Sequence, residues 1–293
     1  MAYNLILNSN NAITNNTYRY TFINGSITIL DEAEMCISQL QIPYSWFNIT
    51  TAYNNQQFQI IFPTSSGLIT TTLTLNAGFF TVTDINAFIQ KFCITNGYYL
   101  INASGNYVYY LTLLYNINTY GVQLITTLLP TSLPAGYSQP SNWAGYNVSS
   151  LSPQLVILNN KFGNIIGFAQ GTFPPVNTAN SSTLNTYVPL GSNVNSVIVR
   201  CSLVDNKCGL PTDILDVFPI NTTFGSNINY QPYALKYIKI SAGIYQYIDI
   251  IFEDQNFNTL AIQDTNLTIS LLIKNKGKDR IEPKIEKLNI RLL

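Results

Sequence analysis

The sequence predicts an all-β fold, an antiparallel sandwich, and three observations carry that prediction. Apolar and polar residues alternate with period two through ten or more short segments, which places one set of side chains inward and the other outward. Helical periodicity stands out in one segment only. Strand and helix patterns do not take turns along the chain, which argues against a parallel α/β sheet. The clearest alternation lies at Ile244–Lys274. Ile244, Ile248, Ile250 and Phe252 share a face opposite Tyr245, Tyr247, Asp249 and Glu253; beyond a turn rich in acids and amides, Leu267, Ile269, Leu271 and Ile273 oppose Thr268 and Ser270. The stretch reads as a hairpin of two long strands whose apolar face needs a cover, expected from Ile37, Leu40, Ile42, Val197, Val199 and Leu203.

Taken in order, residues 1–16 are polar and Asn-rich and read as an arm. Tyr18, Tyr20 and Phe22, then Asn24-Gly25, then Ile27 and Ile29 give a hairpin signal. Met35–Ile42 is a strand whose apolar phase changes between Ile37 and Leu40, the mark of a bulge, and which stops at Pro43. Phe58–Phe62 and Leu68–Leu75 are strands. Ile85, Phe88, Ile89 and Phe92 fall at i, i+3, i+4 and i+7 of a helix with Thr83 as N-cap, Asp84 in its first turn and an end near Asn96-Gly97. Strands follow at 98–101, 107–115 and 121–129, then a Pro- and Gly-rich loop at 130–150. Leu155–Leu158 and Ile165–Phe168 read as short strands, Phe173–Asn185 as a second loop and Val194–Val204 as a strand. Asp213–Val217 reads as a single turn, and Leu235–Ile240 precedes the final pair. No repeat of 20–50 residues is visible.

Charged residues make up 10% of the chain, against roughly 25% in an average soluble protein, and 46% of residues are apolar. Polarity comes from amides and hydroxyls, with 36 Asn; an AT-rich coding sequence accounts for that excess as well as function does. A surface so poor in charge suits association. Formal net charge is zero, yet Lys274–Leu293 carries seven basic and three acidic residues, so the remaining body is net negative. Ile281, Ile285, Leu288, Ile290 and Leu292 between those charges favour docking on protein over a purely electrostatic contact, and contact of this tail with nucleic acid stays open. The start Met1-Ala-Tyr-Asn-Leu-Ile-Leu lacks the basic and apolar regions of a signal peptide, and no run reaches the ~18–20 apolar residues of a membrane span. Cys36, Cys93, Cys201 and Cys208 have no zinc-ligand spacing and are expected as buried free thiols in a reducing compartment. The sequons at Asn15, Asn24, Asn48, Asn102, Asn147, Asn180, Asn221 and Asn266 are the chance yield of an Asn- and Thr-rich chain.

The chain contains no His, which removes Ser–His–Asp, Cys–His and His-based metal chemistry. No phosphate-cradling glycine loop is present. The densest carboxylates are Asp31, Glu32 and Glu34, which read as a solvated strand start more readily than as a calcium site, and Glu253-Asp254, whose neighbours on a strand point to opposite faces and so form no dyad by themselves. Twenty tyrosines, with Trp46 and Trp143, offer stacking surfaces for sugars or bases; strand faces and subunit interfaces use tyrosine equally. The sequence therefore yields no catalytic, cofactor-binding or metal-binding residues, and the chain is read as a non-enzyme without cofactors.

Five stretches in fixed order resemble one family. They are Glu34–Thr50 (EMCISQLQIPYSWFNIT), Leu73–Gln90 (LTLNAGFFTVTDINAFIQ), Phe162–Phe168 with Gly171–Pro174, Asn193–Asn206 (NVNSVIVRCSLVDN) and Phe252–Leu260 (FEDQNFNTL). Their ordered combination, across residues 33–274, resembles the penton (minor capsid) proteins of Mavirus-like virophages and Polinton-type viruses. The resemblance implies a single jelly-roll β-sandwich with strands B to I: B at 35–42, C at 57–62, D at 68–75, G at 194–204, H at 244–253 and I at 266–274, with E and F between 98 and 168. It implies an N-terminal arm or hairpin at 1–30 and a first jelly-roll part at 31–96. An insertion with middle strands would occupy 97–185, C-terminal strands 186–274 and the basic tail 275–293. It further implies a homopentamer that closes icosahedral fivefold vertices, contacts the surrounding major capsid protein and resides in a virion assembled inside the host cell. Glu253 and Asp254 then become subunit contacts in the H–I loop. The alternative is a carbohydrate-binding jelly-roll module serving host attachment, drawn from the tyrosines and the two tryptophans.

Overall fold

A computed structural model describes residues 2–14, 16–146 and 149–275. In chain order the elements are β1 (Ala2–Asn8), β2 (Thr17–Thr21), β3 (Ile27–Ile29), β4 (Ala33–Pro43), β5 (Gln57–Thr64), β6 (Gly67–Thr74), α1 (Val82–Asn96), β7 (Tyr99–Ile101), β8 (Tyr107–Tyr109), β9 (Leu111–Asn116), β10 (Gly121–Thr126), β11 (Gln154–Ile157), α2 (Asn160–Ile166), β12 (Gly171–Phe173) and β13 (Ser181–Leu184). They continue with β14 (Ser196–Cys201), β15 (Ile214–Pro219), β16 (Asn227–Tyr230), β17 (Ile238–Lys239), β18 (Gly243–Tyr245), β19 (Tyr247–Asp254) and β20 (Thr268–Asn275). Contacts divide the chain into two compact units: Met1–Ser45 with Val194–Leu293, and Trp46–Asn193.

The first unit is a jelly roll. One sheet runs β1-β20-β4-β16, with the short β17 also on β4; the other runs β15-β14-β19-β2. Numbering its eight principal strands B to I in chain order gives B-I-D-G and C-H-E-F, every pair antiparallel, which is the jelly-roll connectivity. The inward positions are those that alternation selects: Leu7, Ile37, Leu40, Ile269 and Leu271 from one sheet, Tyr18, Val197, Val199, Ile250 and Phe252 from the other. The sheets meet where the Cys201 thiol lies 3.7 Å from the Met35 sulfur and where Phe218 stacks on Tyr230 at 4.8 Å. The phase change in β4 is a bulge: register slips opposite Ser270/Leu271, so Ser270 faces Gln39 and Leu271 faces Ile37.

The strand letters differ from expectation. Residues 35–42 form D, not B; B is β1, inside the presumed arm, and C is β2, inside the presumed hairpin. E is β14, which was assigned to G. F is β15, in place of a single turn, and G is β16. H and I stand where they were expected, but they lie in different sheets and do not form a hairpin with each other. β2 pairs with β19 and β3 with β18, so the Asn24-Gly25 turn exists (Gly25 φ 82°) without joining paired strands. Ile244 falls outside the core and is exposed.

The second unit follows D and precedes E, so the division of contacts falls at 45/46 and 193/194 rather than at 96/97 and 185/186. Its sheets run β12-β11-β5-β6 and β13-β10-β9, with the hairpin β7-β8. Ile85, Ile89 and Cys93 of α1 and Phe162, Ile165 and Ile166 of α2 pack into one core with Phe58, Ile60, Leu113, Leu124 and Leu155. Residues 165–168, read as a strand, complete α2 instead: Asn159 caps its start, bonding the Phe162 N–H, and Gly167 closes it at φ 80°. The loop at 173–185 contains β13. The basic tail, 276–293, lies outside the described residues.

Candidate functional site

Glu32, Glu253 and Asp254, among the carboxylates singled out by sequence, are engaged within the chain. Glu32 sits in the turn before β4 at φ 64° and meets Lys239 Nζ at 3.0 Å. Among the described residues no group of three His, Cys, Asp or Glu is placed to hold a metal ion. Glu253 and Asp254 are both buried, which removes them as subunit contacts: their partners are intramolecular. Asp254 accepts from the Asn256 N–H (2.7 Å), the Asn258 N–H (2.9 Å) and the Asn258 amide (3.0 Å), tying off the loop after β19. Glu253 Oε1 accepts from Arg200 Nη1 at 2.7 Å, while its Oε2 is buried without a hydrogen-bond partner among the described residues. Arg200 also makes a two-pronged contact with Asp213, 2.9 Å on each prong. One guanidinium thus joins β14, β19 and the approach to β15. The Asp213 bond, with help from Glu253, raises the pKa of Arg200 further.

A third buried carboxylate, Asp216 on β15, was not singled out by sequence. It accepts from Tyr230 Oη (2.6 Å), the Val217 N–H (2.9 Å) and Lys236 Nζ (3.2 Å). Burial, then this bond, pushes the Tyr230 phenol up. Nothing in the local sequence pairs Asp216 with Tyr230, because the contact spans the two sheets.

Cys36, Cys93 and Cys201 are buried free thiols, as read; Cys208 is exposed. Burial pushes both Cys93 and Cys201 up to about 12, so these are protonated, unreactive sulfurs. Trp46 is buried and offers no stacking face. Trp143 lies against Tyr146 at 5.2 Å.

The second unit shows two features that sequence reading did not find. The first is its charge: Asp84, Lys91 and Lys161 are the charged residues between Trp46 and Asn193, in a chain with 14 acidic and 14 basic residues. The second is its base. The Asn48 amide donates to Phe80 O (2.8 Å) and Gly191 O (2.6 Å) and accepts the Phe80 N–H (2.8 Å), and Asn193 donates to Asn48 O (3.4 Å). Asn55 donates to Asn48 O and accepts from the Thr50 N–H. The first and last residues of the unit are therefore stitched together. The sequon at Asn48 is buried and fully bonded, which bars a glycan there in the folded chain.

Fold and site together define a jelly-roll protein with a nearly uncharged second unit spliced between strands D and E. No family model matches the chain, and no curated protein matches it. Solved structures similar to it include the mavirus penton protein, with TM-score 0.47 and 12% identity over 94% of this chain and 98% of that one. They also include a chain in the structure of the Sputnik virophage, with TM-score 0.41 and 11% identity over 93% and 97%. No helix among the described residues is long and apolar enough to cross a membrane.

Proposed function

We propose that this chain is a structural capsid protein, a penton whose homopentamers close icosahedral fivefold vertices and contact the surrounding major capsid protein in the virion. The observation that carries the reading is the B-I-D-G/C-H-E-F sandwich interrupted only between D and E. The ordered motifs at 34–50, 73–90, 162–174, 193–206 and 252–260 support it, since the first and the last two lie on D, E and H. The buried carboxylates Asp216, Glu253 and Asp254 support it too, because each is held by hydrogen bonds to neighbouring strands and loops, which is a structural task. A ring of five needs a heterologous interface, one flank of the subunit against the other flank of its neighbour. Native mass spectrometry of the purified chain is expected to give a species of five times 32.7 kDa, and the chain is expected in purified particles. A strict monomer at every concentration that is also absent from particles overturns the reading.

A further inference from the structure

The second unit contains a cleft of about 370 Å³ lined by, among others, Tyr110, Tyr137, Pro130, Pro134, Ser150 and Asn180. Roughly 300–1,000 Å³ is the usual span of small-ligand sites. No charged residue lines it. Its polar groups are fixed by the fold. Asn180 Oδ1 accepts the Leu128 N–H at 2.7 Å, which sets the amide plane and leaves its NH₂ as the donor. The Ser150 hydroxyl donates to Leu129 O at 3.2 Å, which leaves its oxygen as an acceptor. Tyr110 is largely buried and Tyr137 is 37% exposed. Burial pushes the Tyr110 phenol up to about 12, and the nearby phenols of Tyr137 and Tyr146 add to the shift.

We infer that this cleft binds a neutral carbohydrate. A pyranose presents one face of C–H groups and a rim of hydroxyls. The rings of Tyr137, Pro130 and Pro134 take the face, and a locked amide donor and a hydroxyl acceptor take the rim. The surroundings agree with an uncharged ligand: Asp84, Lys91 and Lys161 are the unit's only charged residues, and none lines the cleft. A sialylated or sulfated glycan, a phosphate or a nucleic acid would find no cation there. A proline-rich peptide shares the stacking chemistry, but the fixed Asn180 donor and Ser150 acceptor are side-chain borne, which fits isolated hydroxyls better than an extended backbone. The inference adds a ligand to the proposed capsid protein; it rests on the second unit alone and stands or falls apart from the pentamer.

The test uses the full chain on an array of neutral, sialylated and sulfated glycans, followed by saturation-transfer NMR with the best neutral disaccharide. Binding to neutral members is expected, with a Kd that changes less than twofold between 0.1 and 1 M NaCl. Tyr137→Ala and Asn180→Ala should each weaken it at least tenfold, while Tyr120→Ala, on an exposed turn, leaves it unchanged. Thermal melting confirms that each variant is folded, and Tyr137→Phe, which keeps the ring, should retain most of the binding. An array without a neutral binder overturns the inference. So do preference for anionic glycans, displacement of the sugar by a proline-rich peptide of higher affinity, or indifference to both substitutions. The oligomeric state, measured on the same samples, reports on the capsid reading independently.

Discussion

Tyr18 shows how a single side chain records conflicting demands. Its ring fills the sandwich core edge-on to Phe252 at 5.8 Å, and its hydroxyl is buried without a partner among the described residues. An unpaired buried hydroxyl costs about 1–3 kcal/mol. Tyr18→Phe is therefore expected to leave urea stability at pH 7 unchanged or to raise it by up to about 1 kcal/mol; a loss above that would show a partner for the hydroxyl. The same burial, with Asp264 adding, pushes the phenol up to about 12. The folded state then holds a proton that the unfolded chain releases from about pH 10. The contribution is whole below pH 10 and is lost as pH rises towards 12, so the variant should lose less stability over that window than its parent. Arg200 is the opposite case. Arg200→Ala strands Glu253, and leaving a buried charge without its partner costs about 3–5 kcal/mol. With Asp213 partly exposed and Arg200 itself a quarter exposed, the lower end is expected. Arg200→Met with Glu253→Gln should recover most of the loss, and recovery of none would place the energy elsewhere. Alternation put Arg200 and Glu253 on outward positions. Their pairing was not legible, because it needs the order of strands within the sheet.

At the level of elements, what could be read depended on whether the signal was local. The bulge in β4 was visible because a phase slip between Ile37 and Leu40 is a property of adjacent residues. Helix α1 was visible by its period, yet its cap lies at Thr81 rather than Thr83. Thr81 and Asp84 form the reciprocal pair, Thr81 N–H to Asp84 Oδ2 at 2.8 Å and Asp84 N–H to Thr81 Oγ1 at 3.2 Å, and the T-x-x-D spacing spelled it out. β1 was legible too: Leu5 and Leu7 alternate with Asn4 and Asn8, and asparagine content obscured a strand only seven residues long. The end of α1 gives a sharp expectation. Gly97 closes it at φ 69°, bonding Cys93 O and Ile94 O, and a Cβ there would stand 1.9 Å from the Asn142 carbonyl oxygen. Gly105 has a similar φ of 79° with nothing within 4 Å. Gly105→Ala should cost about 1–2 kcal/mol, the left-handed penalty alone. Gly97→Ala should cost clearly more in a denaturant titration, and equal losses would mean that the Asn142 segment yields freely.

For the whole molecule, chain order misled where local pattern did not. Residues 57–62 and 68–75 are strands, as alternation says, but they belong to β5 and β6 of the second unit. A reading that takes strands in succession assigns them to the sandwich as C and D. Alternation carries no information about which strand is a neighbour, and an insertion between D and E leaves each segment's pattern intact. The ends of the second unit explain how the sandwich tolerates it. Asn48 and Asn55 hold the incoming chain, and Asn48 with Asn193 ties it to the outgoing one. To the sandwich, the folded insertion is a loop already closed. The entropy of joining D to E, which grows by about 0.6 kcal/mol for each doubling of a flexible loop, is met by the insertion's own folding. Replacing 46–193 by a short Gly-Ser linker between Ser45 and Val194 exchanges one closed loop for another. The shortened chain is expected to be soluble, to show a strand-type circular dichroism spectrum and to melt in one cooperative step. The excised segment, with a core of its own around Phe58, Ile89, Phe162 and Leu124, should fold separately. Asn48→Ala in the full chain removes the stitch and leaves buried carbonyls unpaired, at about 1–3 kcal/mol. That loss should appear in the excised segment as well and be absent from the shortened chain, which lacks the residue. A shortened chain that stays unfolded would mean that the sandwich needs the insertion for more than closure.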